Sequence, residues 1–533
     1  MNSPTSPDVP FINTLSRRDF LAHALRTGAA FGLASLTQVP PFAARALAEG
    51  NIGTNGKKLL FIFLRGANDA LNSCLPVKDA GFTQAIRPSI WIPQEAPSYY
   101  DAPGACDFPT GLTSTFAYGN AIRIGDGFNA LHPSLKFLAP AYNAGDLLLI
   151  QRVGYPRQSR SHFDSQAYWE SGTPNTSARE GIFYRTILES GIAATNPLAG
   201  ISIQSALPTI FQGSGLAITN LADPTRYDLL GTPTPSGDQK LMNAVLRGNQ
   251  AGFADKRSRG LLHLSYENLV NTIDLFGSLP FSEDENTFVD DVATDGGTGH
   301  YHLFPTSVAI NGGGTASSYV VDNGAFSFFQ QLKGAAVVLN HTDAVIAGTE
   351  MGNFDTHDNQ GGATGNHANL LSRVAWAIYA LRKYFLLYGN KTKWEDLVIV
   401  TLSEFGRTTV QNSNNGTDHA EAGLMFVAGG GVKGYGKSNR TRGVIGGHPG
   451  DEVAWNPGPT GSMFGVAGRY LRRAIDYRSV LGEIIRDHLG ATQSQLNRII
   501  PGYANSAEAL SDGGESIDLT QIMGEVGVVQ TEE

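Results

Sequence analysis

An α/β fold with a mostly parallel central sheet, helices on both faces and an inserted cap region is what this sequence predicts, on three observations. Unbroken apolar runs of four to six residues recur at 59–64, 147–150, 344–347, 397–400 and 424–428. Such runs, without polar alternation, mark strands buried on both faces. Each run adjoins a short polar segment that carries charged residues or histidine, as strands of an open α/β sheet do where they present a site beyond their carboxyl ends. Between two of the runs, Leu370, Val374, Ala377, Leu381 and Phe385 recur at three- and four-residue steps, the spacing of a helix packed on a sheet.

The chain opens on an address. Arg17 and Arg18 precede a mildly apolar stretch at 29–36, and Ala46-Leu47-Ala48 offers a small-residue cleavage site. The three features in order read as a twin-arginine signal over residues 1–48 rather than an amphipathic helix that happens to carry two arginines. The expectation is an exported, periplasmic protein that meets the twin-arginine translocase on its way and begins near Glu49. No other stretch approaches the ~20 apolar residues needed to cross a bilayer. The net charge of −9 offers no basic footprint for nucleic acid. Cys74 and Cys106 are the only cysteines; in an oxidising compartment they either pair or remain as two buried thiols.

At 533 residues the chain suits one large domain with insertions, or two. The reading here is a domain over 49–505. The first strand, 59–64, delivers Arg65, Asn68 and Asp69 into a Gly-containing turn. The stretch from there to about 129 is rich in Pro, Gly and aromatics. His132-Pro133 opens a helical segment that ends at 143–145, and the strand at 147–150 leads to Ser159, Arg160, Ser161 and His162. From 183 to 343 the chain is Ala/Gly/Pro-rich, with a helical pattern over 239–276 and an acidic run at 282–295 that lacks calcium-loop spacing. This third is expected to be an insertion capping the sheet. The strand at 344–347 then leads to Asp355 and His357, which share a side if the chain is extended. The helix over 370–385 returns to the strand at 397–400, followed by Glu404, Arg407, Asp418 and His419. A helical pattern runs from Asp476 to Leu489, and 506–533 reads as an acidic tail.

Carboxylates and imidazoles at successive strand ends suit Zn²⁺ or another divalent ion, and the nearby Ser and Arg residues suit attack on an oxyanion ester. Alternatively, Glu404 and Arg407 form a buried ion pair that holds a loop. Arg65-Gly66-Ala67-Asn68-Asp69, Ser159-Arg160-Ser161-His162-Phe163, Asp355-Thr356-His357, Ser403-Glu404-Phe405-Gly406-Arg407-Thr408 and Gly416-Thr417-Asp418-His419 together resemble the domain-of-unknown-function 1501 family, a remote branch of the alkaline phosphatase and sulfatase superfamily.

That resemblance implies a metal site in which Asp355, His357 and His419 hold the first ion and Asp69 or Asn68 supplies the first-strand group. Ser159 or Ser161 resembles the nucleophile and Arg160 or Arg65 the oxyanion clamp. The substrate class it implies is a small-molecule or glycan phosphate or sulfate ester. The pair that holds a second ion in the superfamily is replaced here by Glu404-Phe405, and Phe405 cannot ligate. This leaves a one-metal enzyme, a relocated second ligand such as His162 or Asp418, or a non-catalytic envelope binding or assembly protein on the same scaffold.

Overall fold

The computed structural model describes residues 52–106, 119–224 and 320–503, apart from short gaps at 157, 174–178, 193–195, 197, 215, 217, 452 and 465–469. It also describes 301–308, 524–530 and scattered positions in 240–290 and 511–516. The expected export signal lies outside these residues, as do most of 239–276 and of the acidic run at 282–295.

A nine-stranded sheet is the centre of the molecule. Its strands are β1 (Lys58–Leu64), β2 (Leu147–Gly154), β3 (Gly200–Ile203), β4 (Thr219–Leu221), β5 (Ile346–Met351), β6 (Leu397–Leu402), β7 (Gly423–Ala428), β8 (Val444–Ile445) and β9 (Ile475–Asp476). The order is β8-β2-β7-β6-β1-β5-β3-β4, with β9 also paired to β2. Every pairing is parallel except the two made by β7, which runs against all the others. A mixed, mostly parallel sheet is therefore what the apolar runs encode. The reversal of β7 was not legible in them, because a strand buried on both faces reads the same in either direction.

Alternation within β1 divides the interior. Leu60, Ile62 and Leu64 join one core with the helices α3 (Phe326–His341) and α4 (Asn366–Leu387). Leu59, Phe61 and Phe63 join the other with α2 (Ile182–Ser190), α5 (Tyr477–Glu483) and α6 (Gln493–Ile499). Helices thus cover both faces. The stripe Leu370, Val374, Ala377, Leu381 and Phe385 is buried along α4. Each of the side chains larger than Ala377 stabilises the fold by roughly 1.5–3 kcal/mol.

Two expectations change, and one open alternative is decided. The region 183–343 is not wholly a cap, because its described parts give β3, β4, most of α2 and α3 to the central layers. Strands of three and four residues are too short to show a period. Cys74 and Cys106 are buried, free thiols. Within the segment read as a tail, Val526, Val528 and Val529 are buried. There Lys433 N donates to Val528 O and Gln530 N to Gly431 O, while the Glu483 carboxylate accepts from Val526 N and Val528 N. Among the described residues no helix is long and apolar enough to cross a membrane.

β2 carries a bulge. Gly423 faces Val153 and Leu424 faces Gln151, so Arg152 has no partner across the ladder, and its φ of 58° lies in the left-handed region.

Three buried histidines are held neutral by desolvation. His132 donates from Nε2 to Gly362 O and accepts at Nδ1 from Ser134 N, and burial lowers it to about 3. His367, against Asn68 Oδ1, and His488, donating to Lys58 O, are each lowered by burial to about 4. Below the unfolded value of about 6.5 the unfolded chain takes up protons that the native state refuses, so stability is lost as pH falls toward 4. Each contributes a loss of about 2–3 kcal/mol by pH 4.5. The urea midpoint should therefore fall between pH 7 and 4.5, and less steeply in His488→Gln, which keeps a donor for Lys58 O. Parallel pH profiles for the two proteins would exclude His488 from this linkage.

Candidate functional site

The loops beyond one edge of the sheet are drawn together by two buried side chains. Glu404, just past β6, accepts from Gly66 N at 2.8 Å, Ala67 N at 2.9 Å and Gln166 Nε2 at 2.7 Å. Arg407 donates from Nε to Ala67 O at 2.9 Å, from Nη1 to Thr417 O at 3.0 Å and from Nη2 to Phe354 O at 3.1 Å, with further short bonds from Nη2 to Gly66 O and Asp355 Oδ1. Glu404 and Arg407 are thus not paired with each other. Each pins the turn after β1 to a different neighbour. Gly66, at φ 111°, permits the contact: a Cβ there would stand 2.4 Å from Asp355 N.

The reversal of β7 completes the site. Thr408 N donates to Asp418 O and Ala420 N to Gly406 O, a short antiparallel ladder beyond the paired strands β6 and β7. Asp418 and His419 precede β7, yet its amino end lies at the edge where the other strands end.

Three imidazoles then converge on one oxygen. Asp355 Oδ1 stands 3.4 Å from His162 Nε2, 3.1 Å from His357 Nε2 and 3.2 Å from His419 Nε2. In each ring Nδ1 faces an acceptor: Glu404 Oε1 at 3.4 Å for His162, Asp418 Oδ1 at 3.2 Å for His357 and Arg160 O at 2.8 Å for His419. An acceptor at Nδ1 fixes the proton there, so a neutral ring turns its Nε2 lone pair onto Asp355. The Nε2 atoms of His357 and His419 are only 2.9 Å apart. Lone pairs facing one another and a carboxylate at these distances require a positive centre among them, either a proton or a metal ion.

The donors fit an ion. His162, Asp355 and His419 each offer a ligand atom, all within 4.8 Å of one another, and His162 Nε2 is buried without an aligned hydrogen bond. Donors ~2.1 Å from a tetrahedral zinc stand roughly 3.4 Å apart, close to the separations here. Burial pushes the Asp355 carboxyl up, but His162, His419 and Arg407 outweigh it and hold the group well below the usual carboxylate range. The carboxylates of Asp355 and Glu404 raise His162 to about 9. Asp355 is 44 % exposed, so the cluster opens to solvent. Behind it the buried Phe405 packs its ring against His162 and His419, 4.8 and 4.6 Å between centroids.

The other sequence candidates are placed apart from the converging atoms. Asp69 is buried, capping the helical turn Ala70–Ser73 and accepting from Arg87 Nη1 at 2.7 Å and Gln360 Nε2 at 2.7 Å. Asn68 bonds Ser73 and His367. Arg65 is committed to Glu170 and Glu350. Ser161 caps the helix α1 (His162–Ser171), Ser159 donates to Asp164 Oδ2 at 3.2 Å, and the Arg160 guanidinium lies over Tyr470. Asp418 stands behind His357. Sequence reading missed Gln166, Arg87 and Gln360, single polar residues in irregular or helical segments with no motif around them.

Removing the Arg407 guanidinium leaves several backbone acceptors and one side of Asp355 unpaired. Arg407→Leu should cost about 3 kcal/mol or more, and Arg407→Lys, lacking the planar fork, should recover little of it. Full stability of either variant in denaturant titration would contradict this role.

Among comparisons with known proteins, the family model described as "Protein of unknown function (DUF1501)" matches residues 317–444. No curated protein and no solved structure matches. The matched segment runs from before α3 to the start of β8 and contains Asp355, His357, Glu404, Arg407, Asp418 and His419, whereas His162 and the Arg65 turn lie outside it. The part of the chain similar to this family is thus the segment that builds most of the histidine–carboxylate cluster.

Proposed function

We propose that the chain is an exported, metal-dependent hydrolase of phosphate or sulfate esters on an alkaline phosphatase/sulfatase-like scaffold, with one divalent ion held by His162, Asp355, His357 and His419. The observation that carries this reading is the turning of three Nε2 atoms onto a single carboxylate oxygen. Nitrogen and oxygen donors at a solvent-accessible edge suit zinc in a catalytic rather than a structural setting. Such an ion would supply a Lewis acid for an ester oxygen. The protein's own groups fix the rings: Asp418, Glu404 and the Arg160 carbonyl hold the Nδ1 protons, and Arg407 holds Asp355. The exposed Arg160 side chain is the cation in the same loop available to an anionic ester. Of the two serines, Ser159 donates its hydroxyl hydrogen to Asp164 while Ser161 only accepts, from Asp164 N, which favours Ser161 as nucleophile.

A second ion near Glu404 is disfavoured, because that carboxylate is already satisfied by backbone and amide donors and Phe405 offers none. The same two residues favour, as the second reading, an envelope binding or assembly protein that retains one ion without turnover.

Metal analysis of the purified protein should find about one divalent ion per chain. His419→Ala should lose it while keeping its circular dichroism spectrum, since a partly buried ligand on a loop adds little to the core. Turnover of aryl phosphate or aryl sulfate by the metal-loaded protein selects hydrolysis, and a loaded but silent protein selects binding. Protein that takes up no ion, whichever divalent salt is added, removes both readings of the site.

A further inference from the structure

Arg152 combines two unfavourable features at one residue. As the bulge residue of β2 it holds a left-handed backbone, a conformation that costs a non-glycine residue roughly 1 kcal/mol or more. Its side chain is 2 % exposed. Nη2 donates to Ala454 O at 3.3 Å and the guanidinium lies 5.8 Å from the Trp455 ring centroid, but Nε and Nη1 are buried and meet no acceptor among the described residues. Asp451, whose charge reaches it, is turned to Val453 N and His448 N and makes no ion pair with it. Burial lowers Arg152 to about 10, so it remains charged at neutral pH. A buried guanidinium with unsatisfied N–H groups is costly unless an anion or carbonyl completes it.

We propose that Arg152 is the base of an oxyanion-binding site, distinct from the histidine cluster, that takes a carboxylate, phosphate or sulfate group against Trp455. A bulge is the device that re-aims a strand side chain toward such a ligand. Arg472, exposed nearby, adds a second positive charge that Arg152 senses, and a planar guanidinium matches an oxyanion better than an ammonium does.

The test is thermal denaturation of the purified protein with inorganic phosphate, sulfate or succinate, each against sodium chloride at equal ionic strength. At least one anion should raise the midpoint by several degrees and saturate, as binding to the native state requires. The anion that acts at the lowest concentration identifies the class. Arg152→Gln should abolish the response. Arg152→Lys, which keeps the charge and covers the case in which the Gln variant does not fold, should weaken half-saturation at least tenfold. His419→Ala should leave it intact. No response beyond chloride, an equal response in the Arg152 variants, or loss of the response in His419→Ala would each overturn the proposal, the last by assigning the anion to the histidine cluster.

Discussion

The site depends on the Arg407 guanidinium more than on any of the groups that face solvent. It is wholly buried and it reaches the turn after β1, the loop after β5, the loop before β7 and the carboxylate of Asp355. Without it Gly66 O, Ala67 O and Thr417 O would be buried acceptors without donors, since their loops leave the sheet before any ladder can pair them. A single planar cation therefore replaces secondary structure where the strands end. The carboxylate that three histidines share is oriented by the same group that closes the loops. Glu404 provides the complementary half, accepting the Gly66 and Ala67 N–H groups from the other side of the same turn. The turn after β1 is thus held by one buried anion through its donors and one buried cation through its acceptors.

Much of this was legible in the sequence. The apolar runs placed the long strands, the three- and four-residue stripe placed α4, and polar clusters beside the runs pointed to His162, Asp355, His357 and His419. Proximity to a strand end is a good guide to membership of an edge. It says little about which atoms meet. Asp69 and Arg65 sit at the same edge as Asp355, yet Asp69 is sealed under Arg87 and Gln360 and Arg65 is drawn aside by Glu170 and Glu350. The partners that divert them are lone residues in segments without a pattern. Direction was equally hidden. Asp418 and His419 belong to the cluster only because β7 is reversed, and residues preceding a parallel strand would have emerged at the opposite edge.

The surroundings of the rings set their chemistry as much as the rings themselves. Carboxylates and a carbonyl at the Nδ1 atoms leave the Nε2 atoms basic and pointed, and Phe405 behind two of them excludes water from that side. At this strand end Phe405 supplies an apolar wall rather than a ligand. The charge of Asp355, low-pKa and shared, is balanced in the protein by Arg407 on one side and by imidazoles on the other, so the cluster holds its shape through polar contacts rather than through a hydrophobic core of its own.

The bulge at Arg152 also governs phase. Leu147 and Leu149 point into one core, Leu148 and Ile150 into the other, and Val153 joins the second. Strict alternation leaves Gln151 on the first face and would give the second face to residue 152 and the first to residue 153. The additional residue resets the count, so that the chain leaves β2 turned by one half-period of the pleat. The segment from Tyr155 to His162 inherits that turn. Forcing Arg152 into extended backbone, with the residue kept, would send Val153 to the first core and swing the loop carrying His162 toward the opposite face of the sheet, whereas deleting the residue would straighten the ladder and leave both where they are. The handedness of a single backbone position, remote from the imidazoles, thereby decides on which side of the sheet the first of them emerges.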